Sequence, residues 1–243
     1  MSETIQTKER LEQFQNMDFL KTQPYQKVLR TYARNNKGEI LSLISGYYPN
    51  GQIKQYMELI NNSAYGPYWE WHENGQPKLS AFVIGGMGDL GPSSERTWLF
   101  EGTTKAWGED GTLLCEIPYE KGVIHGTSVY YHPFSGTLMK KIPIKEGKVE
   151  GTLEKFGKDG ILLESIIYRD GKRNGLSWVQ YPGGGKAAEE LYKDGLLITG
   201  LYFNKEGNPI ASVQDRVGKQ ALFEEGRLTE IREIIEGIAE GLV

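Results

Sequence analysis

Two glycine-rich segments have the residue types that bind phosphate. Gly86-Met87-Gly88-Asp89-Leu90-Gly91 satisfies G-x-G-x-x-G and follows a strand-like run, Ser80 to Ile84. A dinucleotide site also needs a helix to start there, so that its N-terminus can hold the pyrophosphate. Pro92-Ser93-Ser94-Glu95 and then more strand-like sequence follow instead, so a flexible glycine-rich loop is the stronger reading. Gly183-Gly184-Gly185-Lys186 has a phosphate-loop ending, but Ala187 stands where Ser or Thr must bind magnesium and no glycine precedes at the right distance. A hairpin turn accounts for it better.

The remaining reactive residue types form no constellation. His72, His125 and His132 have no partners at metal-ligand spacing, and exposed strand or turn positions are expected for them. Cys115 follows a turn, with His125 the nearest base in sequence. A nucleophile needs a base and a group to orient it, so a small, partly buried apolar role is expected. Carboxylates are spread along the chain without a distinctive pair, which leaves acid–base glycoside chemistry no foothold. Asn61-Asn62-Ser63 fits a glycosylation sequon, which matters only in a secreted protein. No catalytic, cofactor-binding or metal-binding residue is assigned, and a non-enzyme is expected.

What positions these residues is a tandem array. Glycines recur in phase at about 24-residue intervals, as Gly51, Gly75, Gly111, Gly136, Gly160, Gly184 and Gly207. A second set is Gly86, Gly122, Gly147, Gly171 and Gly195, and a third is Gly66, Gly102, Gly126, Gly151, Gly175 and Gly200. Asn-Gly and Asp-Gly pairs mark tight hairpin turns, and the segments between them are too short for stable helices. The expected fold is all-β: antiparallel hairpin repeats forming an elongated twisted sheet. Strands are expected at Val28–Arg34 and Glu39–Tyr48. Counting two, six and eight residues past the first glycine set gives mostly apolar columns, among them Leu113, Ile117 and Tyr119, with Lys186 and Glu190 as exceptions. Equal parity puts the three columns on one strand face. Trp71, Trp107, Tyr131 and Phe156 form an aromatic column expected to stack as a ladder within the core. Residues 1–24 are expected to be a helical cap, with Leu11, Phe14 and Phe19 on one face of a helix from Glu3 to Phe19. Residues 25–243 form the array. Its phase breaks twice, at an insertion near residues 85–97 and after Gly207. Glu236-Gly237-Ile238-Ala239-Glu240-Gly241-Leu242 restarts the repeat just before Val243, so the last unit is expected to be cut short, the chain being a piece of a longer array.

Tyr168-Arg169-Asp170-Gly171-Lys172-Arg173-Asn174-Gly175 resembles the MORN repeat, whose core is an aromatic, two residues, Gly-Lys, two residues and Gly. Tyr119 to Gly126 and Tyr192 to Gly200 are looser copies. Turns such as Trp71-His72-Glu73-Asn74-Gly75-Gln76-Pro77-Lys78 look like the bacterial variant, often described as antitoxin-like. The resemblance covers roughly residues 40 to 243. It implies hairpins laid side by side as a scaffold, with no recognisable catalytic domain attached.

The formal net charge of −4 argues against a general nucleic-acid or anionic-membrane binder, while leaving room for a local basic patch. No apolar run is long enough to span a bilayer, and the first residues lack a signal peptide's basic start and apolar core. A single cysteine fits a reducing compartment. A cytoplasmic location is therefore expected, with export by a signal-less route and peripheral membrane contact left open. The expected function is a bacterial protein-binding scaffold without cofactor or nucleic-acid partner. The alternative is the antitoxin half of a toxin–antitoxin pair, and nucleotide binding by the inserted loop ranks last. The expected interaction surface comprises Phe14, Phe19, Met87, Leu90 and Trp98, because these lie at the N-terminal helix and where the repeat breaks.

Overall fold

A computed structural model describes residues 27–239. The expected helix over Glu3–Phe19 and the boundary between residues 24 and 25 lie outside the described residues, as do Phe14 and Phe19. The chain runs through β1 (Lys27–Arg34), β2 (Ile40–Tyr47), β3 (Ile53–Ile60), β4 (Ser63–Trp71) and β5 (Pro77–Gly85). A single helical turn, α1 (Pro92–Glu95), then leads to β6 (Leu99–Trp107), β7 (Leu113–Glu120), β8 (Val123–Ile124) and β9 (Gly126–Tyr131). Next come β10 (Leu138–Lys145), β11 (Lys148–Val149), β12 (Gly151–Phe156), β13 (Leu162–Arg169), β14 (Lys172–Arg173) and β15 (Gly175–Gln180). The last six are β16 (Lys186–Lys193), β17 (Leu196–Phe203), β18 (Pro209–Gln214), β19 (Val217–Glu224), β20 (Arg227–Ile235) and β21 (Ile238–Ala239). Successive long strands pair antiparallel in one open sheet, as the all-β hairpin reading requires. The two-residue strands β8, β11 and β14 are the starts of β9, β12 and β15, interrupted where Glu150 and its equivalents slip out of register.

The two turn classes have different geometries. At Asp170-Gly171 both residues hold positive φ, 50° and 78°, the two-residue turn that matches strand twist and favours Asp-Gly. At Asn50-Gly51 the loop is one residue longer. The Gly51 N–H donates to the Tyr48 carbonyl, and the Gln52 N–H donates to the Asn50 carboxamide oxygen.

A bulge recurs three residues past each first-set glycine, at Lys54, Lys78, Leu114, Met139, Leu163, Ala187 and Ile210. It corrects the parity expectation. The bulged residue turns inward with its successor, so Leu163 and Ala187 are buried while Leu162 is half-buried and Lys186 exposed. The residue two past the glycine goes to the opposite, outer face, where it pairs with the aromatic column: Pro77 with Trp71, Leu113 with Trp107, Leu138 with Tyr131, Leu162 with Phe156. Those aromatics therefore lie opposite the buried clusters rather than in them. Trp69 stacks on both Trp71 and Trp107, with centroids at 6.0 and 6.3 Å. Tyr131 instead donates to Glu116, and Phe156 lies beneath the Lys141 ammonium, so no continuous ladder forms.

The inner face holds two buried clusters, one toward each end. The first joins Ile44, Met57, Leu59, Ala64, Tyr68, Ala81, Val83 and Trp98. The second joins Ala188, Tyr192, Leu197, Tyr202, Val213, Ala221, Ile234 and Ala239.

Candidate interaction surface

The insertion is a plug for the first cluster. Trp98 is only 6% exposed, with its ring edge-on to Tyr68 at 4.7 Å and its indole N–H donating to the Met87 carbonyl. The Met87 N–H donates to Thr97 Oγ1, and Arg30 of β1 reaches the Gly88 carbonyl at 2.6 Å. Leu90 is half-buried against the same cluster. Of the residues expected to form a surface here, only Met87, 49% exposed, stands clear of the core. Two glycines of the G-x-G-x-x-G segment, Gly86 and Gly88, serve packing. A Cβ on Gly86 would sit 2.5 Å from the Thr97 carbonyl oxygen, and one on Gly88 2.5 Å from that of Asn62. The four-residue α1 has no side-chain cap and is too short to present a helix terminus to a pyrophosphate.

The second phase break closes the other cluster. The β19–β20 hairpin packs back over the array. Its Gly226 lies so close to Pro182 that a Cβ would fall 2.0 Å from the ring, and Phe223 meets Tyr181 edge-on at 5.8 Å. A groove of about 790 Å³ remains beneath the hairpin, bordered by Lys140, Lys155, Glu164, Val179, Phe223 and Arg227. Beside it, Glu190 interrupts the isoleucine column and is 8% exposed. Its carboxylate accepts from Tyr202 Oη at 2.7 Å, Gln220 Nε2 at 2.7 Å and Tyr192 Oη at 3.1 Å, with Arg173 Nη1 at 3.8 Å. Arg232 donates twice to the side-chain amide oxygen of Gln220, Oε1. Burial, then the neighbouring Glu190 charge, pushes the Tyr192 phenol up to about 12, and the Tyr202 phenol moves in the same direction for the same reasons. A carboxylate so saturated with donors is a structural centre. It has no free edge for a substrate.

The other candidate groups are structural as well. The histidines next to the longer turns tie repeats together. His72 Nε2 donates to the Trp107 carbonyl at 2.9 Å and His132 Nε2 to the Phe156 carbonyl at 3.2 Å, as Tyr48 and Tyr181 do through their hydroxyls. His132 is buried rather than exposed. His125 faces Glu120 at 3.8 Å. Burial pushes the Cys115 thiol up, the opposite of an activated nucleophile. Its cross-strand neighbours are Ala106 and Tyr130, with His125 further along beside Pro118. Lys186, after the Gly183–Gly185 turn, pairs with Glu189. Among the described residues no group of three or more His, Cys, Asp or Glu is placed to hold a metal ion.

Part of the outer face carries side chains without polar partners. Seven residues past the first-set glycines, Phe82, Pro118, Pro143, Ile167 and Leu191 form a mid-strand band, joined by cross-strand Thr127, Thr152 and Leu176. Two residues further along lies a cationic band. Lys145 pairs directly with Lys148 and Arg169 with Lys172, and Lys193 follows in the next repeat. All five cations are exposed, and among the described residues none has a carboxylate partner. Reading the columns for the core alone passes over both bands. Their signal lies at odd offsets, seven past the glycines from Gly75 to Gly184 and nine past Gly136, Gly160 and Gly184.

No known protein family matches the chain, and no curated protein matches it. A solved porin-like protein from Bacteroides uniformis ATCC 8492 aligns over 90% of this chain and 99% of its own, at 10% identity and a TM-score of 0.18. A likeness at that TM-score decides nothing about this chain. Among the described residues no helix is long and apolar enough to cross a membrane.

Proposed function

We propose that this chain is a non-enzymatic, MORN-like repeat scaffold that binds a protein partner on the outer face of its sheet. One observation carries the reading: the outer face combines an exposed aliphatic band with an unpaired cationic band, whereas the buried Glu190 and His132 are engaged in bonds that hold the fold. Exposed apolar surface rimmed by charge is what a protein interface needs. A shallow face of this kind suits an extended partner better than an enclosed substrate. The test is affinity capture from the native host with the full chain, followed by crosslinking mass spectrometry. Crosslinks from a captured protein should fall on Lys145, Lys148, Lys172 and Lys193. Capture of no protein, or crosslinks confined to the inner-face lysines Lys140 and Lys155, would overturn it.

A further inference from the structure

We infer that the outer face from Pro143 to Leu201 is built for an acidic, amphipathic helix of a partner protein lying across the strands; this rests on the scaffold reading above. Like charges directly opposite each other on a sheet are destabilising, yet two successive hairpins carry them, as Lys145 with Lys148 and Arg169 with Lys172. The fold does not require them. The corresponding pairs elsewhere are Ile60 with Ser63, Glu120 with Val123, Lys193 with Leu196, Gln214 with Val217, Glu224 with Arg227 and Ile235 with Ile238. Cations clustered where the fold accepts apolar residues, and lacking partners of their own, call for an anionic ligand.

The neighbouring band says which kind. Ile167, Leu176, Leu191 and Leu201 are exposed beside the cations, and aliphatic side chains have nothing to gain from a phosphate backbone. The spacing fits a helix. Each repeat advances two strands, about 9.6 Å, and seven helical residues advance about 10.5 Å. Carboxylates one heptad apart therefore meet successive cation pairs, and leucines on the adjoining stripe meet the aliphatic band. The long lysine side chains absorb the small mismatch.

The experiment is fluorescence anisotropy with the full chain and a labelled, three-heptad helical peptide bearing Glu and Leu on one face. Its controls are the same peptide with Gln for Glu, a single-stranded DNA oligonucleotide, and phosphatidylserine vesicles. The Glu peptide should bind, with affinity falling at least about tenfold for the Gln peptide and with added salt. Lys148→Glu with Lys172→Glu should weaken it at least about tenfold, and the milder Lys148→Gln with Lys172→Gln should weaken it by less. Circular dichroism of each variant should be unchanged, since the sites are exposed. Equal binding of the Glu and Gln peptides, or indifference to both variants, would overturn the inference. So would binding of the DNA or the vesicles in place of the peptide. Repeating the host capture with the Lys148→Glu, Lys172→Glu chain separates the two readings: a partner retained by the variant sinks the inference and keeps the scaffold, whereas no partner with either chain sinks the scaffold.

Discussion

The two ends of the sheet bury the same columns by different chemistry. Near the N-terminus, Tyr68 and Met57 are covered by an insertion that drops Trp98 onto them, and the seal is largely apolar. Near the C-terminus, the equivalent tyrosine, Tyr202, is covered by a hairpin, and the seal is a polar knot around Glu190 and Gln220. Between the ends, the column that holds Tyr68 and Tyr202 carries Thr104, Ser128, Leu153 and Ser177, and no cluster of comparable size forms. A single sheet cannot bury large side chains by itself. Both large buried clusters of this one form where the repeat has broken phase to supply a second layer.

The two seals can be broken separately, because each repeat contacts mainly its neighbours. The largest effect should come from Trp98→Ala, at about 4 kcal/mol from lost burial and the cavity left behind. Hydrogen exchange should then show protection lost from β2 to β5 while β16 to β20 keep theirs; uniform loss would mean the ends are one cooperative unit. Glu190→Leu should cost about 3 kcal/mol by urea unfolding, since Tyr202, Gln220 and Arg173 lose a buried acceptor. Adding Gln220→Leu and Tyr202→Phe should recover part of that loss. A triple variant no better than the single one would show that the carboxylate does more than satisfy its donors.

The polar seal should also be sensitive to alkali. Tyr192 titrates near the ordinary phenol value of 10.0 when unfolded and at about 12 when folded. The neutral phenol's contribution is thus fully present below pH 10, and it is lost as the pH rises through about 12. Tyr192→Phe should flatten the stability profile over that window, and an unchanged profile would refute the assignment. The smallest effect tests the region between the ends. Phe134 is 88% exposed and holds a positive φ of 68° in a turn one residue longer than its equivalents. Phe134→Gly should raise stability by about 1 kcal/mol through relief of that strain, read as a higher urea midpoint at constant slope.

Much of the fold was legible in the glycines. Turn positions, strand lengths and sequential pairing follow from residues that favour positive φ at fixed intervals, and these are local preferences. The exceptions in the columns were legible too, because Lys186 and Glu190 put charge where the other repeats place apolar side chains. Their consequences were not. Glu190 lies 30 residues from Gln220, and spacing along the chain does not reveal that a hairpin folds back to join them. Nor did alternation disclose the recurrent bulge. One extra residue reverses which side chains face inward, which carried Leu162 outward, opposite Phe156, and Leu163 inward. Trp98 shows the same limit. An aromatic beside an insertion reads as an exposed anchor until the insertion is seen to cover the core.

The sequence by itself determined the repeat, its turn chemistry and the all-β sheet, because glycine and Asn/Asp preferences act within a few residues. Only the tertiary structure decided which face is buried, which breaks are seals and which charges stand unpaired. Those outcomes depend on bulges and on contacts between segments far apart in the chain, where burial and hydrogen-bond satisfaction outweigh local preference.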